Sequence, residues 1–383
     1  MYRKTGNYLI QKVAGESYRA YIPSPLPPDP PVDLTVLYPY LEKATLALAE
    51  LNAIHQTIPN TALFIYMYVR KEALLSSQIE GTQSSFSDLI LFEHHQKPEV
   101  SLDDVEEVSN YVQAIHYGLR KLKENFPLSL RLLRETHGVL LSGGRGAKMQ
   151  PGEFRRSQNW IGGTRPGNAI FVPPPAQELN TCLSNWEKFL HDDRLPVLIR
   201  AGIAHVQFET IHPFLDGNGR LGRLLITLLL CAEGILDEPI LYLSLYLKQN
   251  RTLYYDLLQE VRLHGTWETW LEFFLKGIQK SAKQAVHTAN LINQLFDNHL
   301  KKITTLGRAR FPCEKILNHM KRLPQVTVPL LVHELNMSAP TIRRALETMV
   351  GFNILKEVSG KKRDRVYVYG QYLDLLEEGA EPL

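Results

Sequence analysis

Cysteine is scarce in this sequence: Cys182, Cys231 and Cys313 are the three among 383 residues. They form no CxxC pair and no His spacing suited to zinc, which excludes a disulfide framework or a metal knuckle and points to a reducing cytoplasm. Long apolar runs are missing too. The strongest, Leu224 to Leu236, is broken by Glu233 and Gly234. It falls short of the roughly 18 residues a membrane span needs, so it reads as a core helix and no membrane contact is expected. Met1-Tyr2-Arg3-Lys4-Thr5-Gly6-Asn7 is not followed by the apolar stretch of about 7–15 residues that a signal peptide requires. Internal repeats and long low-complexity tracts are absent. Only Pro23-Ser24-Pro25-Leu26-Pro27-Pro28-Asp29-Pro30-Pro31 is strongly biased, reading as an extended arm that cannot be helical. Excess charge of one sign is small, +3 over the chain, but Lys301 to Gly370 holds 14 Lys and Arg against 5 Asp and Glu. That stretch reads as a separate basic unit. The length allows two or three domains with sizeable cores.

What the sequence does have is concentrated in His212-Pro213-Phe214-Leu215-Asp216-Gly217-Asn218-Gly219-Arg220-Leu221-Gly222-Arg223. Gly217 and Gly219 let backbone N–H groups turn toward a ligand. The apolar run from Leu221 reads as a helix whose positive N-terminal end faces the same point, a place for anionic oxygens. Arg220 and Arg223 lie three apart, on one side of the first turn, so two guanidinium forks can reach one polyphosphate. His212 has a pKa range suited to taking a proton near neutrality. Asp216 offers a hard oxygen for Mg²⁺, which typically takes one or two carboxylates plus substrate phosphates. Any two of these residues occur together in ordinary loops; the whole set describes a phosphate-handling site.

The segment resembles the signature of the Fic-domain family, His-x-Phe-x-(Asp/Glu)-Gly-Asn-Gly-Arg-x-x-Arg, at every fixed position. The resemblance implies transfer of AMP from ATP to a Ser, Thr or Tyr hydroxyl of a protein, the chain itself included, with Mg²⁺ as cofactor. The related death-on-curing branch, which phosphorylates its target, usually has Ala for the first motif Gly and Lys for the second, so Gly217 and Gly219 argue against it. By the same resemblance His212 is the base and Asp216 the metal ligand. Asn218 with the Gly217 and Gly219 backbone steadies the oxyanion, and Arg220 and Arg223 hold the β- and γ-phosphates. Phe214 packs inward, and Pro213 and Leu215 complete the loop around ATP. The adenine is expected near Gln249, Asn250 and Tyr254, with Gln207 a further candidate; for the tyrosine, plain packing is the competing reading.

A second motif, Ser76-Ser77-Gln78-Ile79-Glu80-Gly81, matches the family's inhibitory pattern, (Ser/Thr)-x-x-x-Glu-(Gly/Asn). Alone it is weak, since Glu-Gly often ends a helix and a carboxylate there is mildly disfavoured by the helix dipole. Beside the first motif, the resemblance implies that Glu80 pairs with Arg223 and takes the space and charge that the ATP γ-phosphate needs. It also implies a second use of Glu80, orienting water to remove AMP from a modified protein.

The rest of the chain has a mainly helical period, with helices expected at Leu34 to Ile58, on to Glu80, Asp103 to Glu124, Ser129 to Leu141, Ala176 to His191, Val197 to Phe208 and Trp267 to about Leu300. Asn159 to Gly163 and Ala169 to Val172 flank a Pro166-Gly167-Asn168 turn and predict a β-hairpin. The resemblance makes it the flap that holds a target segment by backbone pairing. Val328 to Leu335, a turn, and a Ser338-capped helix carrying Thr341, Arg343 and Arg344 precede two short strand patterns around Lys361, Lys362 and Arg363, which resembles a winged helix. Such a unit meets DNA or a protein partner.

The chain therefore reads as a mainly α protein in three parts. An N-terminal arm and helical segment with the inhibitory motif covers 1–100. A Fic-type catalytic domain with its β-hairpin flap covers 101–300, and a winged-helix-like domain with an acidic tail covers 301–383. The function read from this is a protein adenylyltransferase autoinhibited by Glu80, with a homodimer compatible. The alternative is a nucleotide-sensing, DNA-binding transcriptional regulator, and phosphocholine or UMP transfer is a lesser enzymatic alternative.

Overall fold

Two short strands open the chain, although the sequence reading assigned no element there. β1 (Gly6–Val13) and β2 (Glu16–Pro23) pair antiparallel, Tyr8 opposite Tyr21. Tyr18 and Ala20, two apart on β2, are buried, the alternation a half-covered strand requires. The computed structural model describes residues 3–13, 16–57, 61–93, 98, 100–360 and 365–381. The proline-rich stretch after β2 has neither helix nor strand, as its composition dictates.

Helices follow where the apolar period predicts them: α1 (Leu34–Thr57) and α2 (Thr61–Ile79), then α3 (Phe86–Glu93), which the sequence reading passed over. α4 (Leu102–Lys123) and α5 (Leu130–Leu140) come next, the latter capped by the Ser129 hydroxyl, which accepts the Leu132 N–H. After the 141–175 loops come α6 (Ala176–Leu190), α7 (Val197–Ile211), α8 (Asn218–Ala232), α9 (Ser244–Gln249), α10 (Arg251–His264) and α11 (Trp267–Thr304). α8 lies at the centre, packed by α7, α4, α5 and α2, and α1 runs along α11. This explains why the Leu221 to Leu230 stretch is apolar apart from Arg223 and Thr227: every residue of it is buried.

Beyond α11 stand α12 (Arg310–Met320), β3 (Gln325–Thr327), α13 (Val328–Leu335), α14 (Ala339–Gly351), β4 (Lys356–Glu357) and β5 (Val366–Val368), the strands ordered β3-β5-β4 and antiparallel. Ser338 caps α14 by accepting the Thr341 N–H. Arg343 and Arg344 are exposed on that helix, while Lys361, Lys362 and Arg363 lie outside the described residues. Two features differ from the sequence reading. α11 runs unbroken past residue 301, and the acidic stretch after it is not a loose tail but α15 (Gly370–Glu377), packed against α11, α2 and α3. Tyr372 and Leu376 provide the apolar stripe that buries it.

The expected β-hairpin over 159–172 is reduced to one antiparallel bridge, Ile161 to Phe171, around a 3₁₀ turn at Pro166–Asn168. Gly162 and Gly163 adopt φ of 68° and 73°, which ends the extended run. The Asn168 side-chain carbonyl accepts the Thr164 and Arg165 N–H groups at 3.0 Å each, so loop bonds replace the ladder. The segment is braced from outside instead, Tyr21 of β2 donating its N–H to the Val172 carbonyl at 2.9 Å.

Candidate active site

The histidine motif forms the link between α7 and α8. His212 ends α7 in the left-handed region, φ 49° and ψ 60°, and Gly217, φ 76°, precedes α8. Between them the chain folds back on its own side chains. Asn218 spends both ends of its amide on Phe214, accepting the Phe214 N–H at 2.9 Å and donating to the Phe214 carbonyl at 2.9 Å. It therefore fixes the shape of the loop, and it also lines the ligand-facing cleft together with Gly217 and Gly219. Phe214 is fully buried and stacks on His137 with 3.7 Å between ring centroids. The His137 Nδ1 accepts the Gly152 N–H at 2.9 Å, so its proton is on Nε2, which donates to the Asp216 carbonyl at 2.9 Å. Burial lowers the His137 pKa to about 4 and keeps the ring neutral.

Two further residues tie this loop to the 154–175 segment. Arg155 donates to the carbonyls of His212 at 2.9 Å and Pro174 at 2.6 Å, and Asn159 donates to those of His212 at 3.1 Å and Phe214 at 2.9 Å. Arg155 is 2% exposed. Sequence reading singled out neither for this role. An arginine in a loop carries no signal that it will be buried, and the bond that ties it to the motif goes to a carbonyl 57 residues away.

The ligand-facing side of the loop is a cleft of about 350 Å³ lined by Glu80, Gly81, Glu107, Arg145, His212 and residues 215–220, a volume suited to a small-molecule site. Arg223 sits under it with a side chain 1% exposed. It donates to the Ser76 hydroxyl at 2.8 Å, the Ser76 carbonyl at 2.9 Å and Glu80 Oε1 at 2.7 Å. Ser76 and Glu80, four apart, face the same way at the end of α2. The Glu80 carboxylate reaches over the start of α8: a β-carbon on Gly219 would lie 2.3 Å from Glu80 Oε1. An anion thus occupies the helix N-terminus beside a buried guanidinium, the place suited to a phosphate. Burial opposes the Glu80 charge, but Arg223, with smaller help from Arg220, outweighs it and holds the Glu80 pKa below the usual carboxylate value.

Arg220 is committed as well, 3.4 Å from Glu107 and 3.5 Å from Asp216, while Arg145 binds Glu107 at 2.8 Å and Asp104 at 3.0 Å. The Asp216 carboxylate, 44% exposed, opens to the cleft. The His212 Nδ1 faces Glu209 Oε2 at 4.0 Å. Burial, then Arg262 and Arg155, lower the His212 pKa to about 3, and burial raises that of Glu209 to about 7. Glu209 was missed in the sequence; its position three residues before His212, one turn back on a helix, was the available signal.

The adenine-pocket candidates are not brought together with this cleft. Tyr254 is buried and bonded through its hydroxyl to His205 at 2.9 Å, the packing alternative weighed for it. Gln207 donates to the Ser24 carbonyl at 2.9 Å. Gln249 and Asn250 line a separate cavity of about 690 Å³ with Lys280, Lys283, His287 and Glu378. Leu215 lines the cleft, and the Pro213 carbonyl accepts the Arg155 N–H at 2.9 Å. Among the described residues no three His, Cys, Asp or Glu side chains gather as a metal site, and no helix is long and apolar enough to cross a membrane.

Family models agree with the geometry. The Fic/DOC family N-terminal model matches residues 38–120 and the Fic/DOC family model residues 127–230. The chain belongs to the Fic/DOC family. Among curated proteins, the protein adenylyltransferase Fic of Drosophila yakuba is 32% identical over 162 residues, and that of Drosophila melanogaster 31%. The match covers 42% of this chain and 30% of each relative, so the chain spans under a third of their length. A Fic family protein from Desulfovibrio desulfuricans G20 superposes with a TM-score of 0.56 at 18% identity, covering 86% of this chain and 96% of that one. A Fic domain containing signaling protein from Bacteroides thetaiotaomicron gives 0.52 at 17% identity, over 64% and 97%. These likenesses show a shared Fic fold, mainly helical.

Proposed function

We propose that this Fic protein transfers AMP from ATP to hydroxyl groups of proteins and that Glu80 restrains the transfer. The observation that carries the proposal is the Glu80 carboxylate 2.7 Å from Arg223, above Gly219, on the cleft shared by His212 and Asp216. In the proposed reaction the target hydroxyl gives its proton to His212 Nε2, the ring atom away from Glu209. Its oxygen bonds the α-phosphorus, and the bond from that phosphorus to the bridging oxygen breaks, releasing pyrophosphate. A neutral imidazole is required, and burial keeps the His212 ring neutral in the closed site, while the negative charge of bound phosphates would raise its proton affinity for the transfer. The α8 N-terminus with Arg220 and Arg223 bears the phosphate charge once Glu80 has swung away.

Mg²⁺ fits this site in a limited form. Asp216 is a single, solvent-facing carboxylate, the complement Mg²⁺ takes when substrate phosphates provide its other charged ligands. When bound there, the ion would neutralise phosphate charge. With Glu80 in place ATP is left misaligned, and the same carboxylate is poised to orient water for AMP removal. The assay is incorporation of label from α-labelled ATP into the chain itself, a first target to hand, and into added proteins. Label should appear with Glu80→Gly and vanish with Glu80→Gly combined with His212→Ala. The absence of covalent AMP from folded Glu80→Gly protein would refute the transfer.

The basic unit over 310–368 supports a second reading, a nucleotide-sensing DNA-binding regulator, because its helix, strand and paired-strand order and exposed Arg343 and Arg344 suit a winged helix on DNA. Under that reading ATP would shift a DNA band and leave no covalent AMP.

A further inference from the structure

Glu80 is held on Arg223 by the end of α2, and that end is gripped from its far side as well. Residues two apart on a helix lie roughly 200° apart around it. Gln78 therefore points away from Arg223 while Ser76 and Glu80 point toward it. Gln78 is fully buried. Its amide donates to the Ser84 carbonyl at 3.0 Å and the Ala380 carbonyl at 2.8 Å, and its carbonyl accepts from Lys248 Nζ at 2.7 Å. Lys248, 6% exposed, also reaches the carbonyls of Gly379, at 3.5 Å, and Glu381. Glu377 completes the junction by accepting the Ser87 hydroxyl at 2.7 Å. From the side, Arg251 donates to the Ile79 carbonyl at 3.1 Å.

The arrangement has chemical consequences. A buried primary amide with all its groups paired fixes its neighbours in one geometry, because leaving any of its partners unpaired costs about 1–3 kcal/mol. The motif pattern that brings Glu80 to notice leaves Gln78 unspecified, yet in this chain Gln78 is the node where α2, α9 and the 377–381 segment meet. Lys71 lies on the same side with its ammonium 4.9 Å from the Tyr242 ring centroid, in the field of Glu378 and Glu381. The acidic 377–381 segment therefore covers two buried lysines behind the inhibitory helix.

We infer that Gln78 and Lys248 are positioning residues for Glu80, and that docking of residues 377–381 onto them sets how firmly Glu80 holds Arg223. The inference rests on the proposed restraint of AMP transfer by Glu80. Loosening the rear grip lets the last turn of α2 shift, and Glu80 Oε1 has a single 2.7 Å bond to lose.

The test uses the full chain and reads incorporation of labelled AMP into the chain itself, with hydrogen exchange at residues 76–82. Lys248→Met keeps the aliphatic stem and removes the ammonium. Gln78→Glu keeps a partner for Lys248 and removes both amide donors. Each should raise incorporation about three- to tenfold, less than Glu80→Gly does, and should speed amide exchange over 76–82. Lys248→Arg should return both readouts toward wild type. In the Glu80→Gly background neither substitution should add anything, because the group they position is gone. If Glu80→Gly activates but Lys248→Met and Gln78→Glu both stay at the wild-type level, the inference is wrong. An equal effect in the Glu80→Gly background would also overturn it, showing a general structural role. If Lys248→Met does not fold, Gln78→Glu and Glu377→Gln carry the same comparison. Failure of Glu80→Gly itself to activate would instead count against the proposed restraint.

Discussion

Replacing Glu80 by Gly tests the proposed switch most directly, and the structure gives the size of the effect. Arg223 is oriented by three bonds, of which the two to Ser76 survive the substitution. The guanidinium should therefore stay in place with a free face toward the cleft. A hydrogen bond to a charged group contributes about 1.5–3 kcal/mol. Glu80 is 38% exposed, so screening places this pair near the lower figure, about 1.5 kcal/mol, which is roughly tenfold in triphosphate affinity. Alignment adds a second factor. Displacing the α-phosphate by about 1 Å costs around 10²-fold in rate. The variant should thus gain about 10²-fold at saturating ATP and about 10³-fold well below saturation. Initial rates of label incorporation across an ATP series separate the two. A gain in KM alone would refute the alignment step, and a change below threefold in both constants would refute the switch. Arg223→Ala should not activate, since it frees Glu80 but removes the phosphate fork, and the double variant should be as poor as Arg223→Ala. Removal of AMP from a modified target should be lost with Glu80→Gly.

Asp216→Asn should weaken productive nucleotide binding and be partly rescued by raised Mg²⁺; a rate independent of Mg²⁺ would remove the metal role from this residue. Glu209 has a folded pKa near 7 against 4.5 for an ordinary glutamate, so the folded state keeps a proton that the unfolded state has released. The wild-type minus Glu209→Gln difference in unfolding free energy should therefore fall as pH rises from about 4.5 to 7, and a flat difference in denaturant titrations would contradict the burial of this carboxyl. Arg343→Ala with Arg344→Ala should leave self-modification intact. If the basic unit binds DNA, the pair should also make the salt dependence of affinity shallower, and no binding at low salt would assign the unit to a protein partner.

Much of the architecture was legible because it is local. α1, α4, α5 and α6 follow from apolar spacing with proline, glycine and serine marking their ends, and the order of α13 and α14 follows from a turn and a cap. The 159–172 hairpin misled because its alternation is real but Gly162 and Gly163 turn to positive φ and Asn168 ties the loop internally. The N-terminal strands went unseen because the Tyr18 and Ala20 alternation is short. At the site, the contiguous motif and Glu80 could be read, since spacing alone puts them on a helix start and a helix end. Their supports could not. Arg155, Asn159, His137 and Glu107 meet the motif across 53 to 113 residues of chain, and such pairings depend on how helices pack, which no local pattern encodes. For the same reason the bonds of Tyr254 to His205 and of Gln207 to Ser24 could not be read from the sequence.

α11 has a bearing on which targets meet the cleft. It is one rod of 38 residues, about 57 Å at 1.5 Å per residue, without proline and with its single glycine, Gly277, packed beneath Tyr246. Trp270 near one end donates to the Gly202 carbonyl of α7, and His299 near the other bonds the Tyr369 hydroxyl at 2.7 Å. If the basic unit binds a partner, α11 would set the span between that partner and the cleft. Under the proposed transfer, choice of target would then be a matter of reach: a weak hydroxyl site at the right span would gain a high effective concentration, and a better one at the wrong span would gain none.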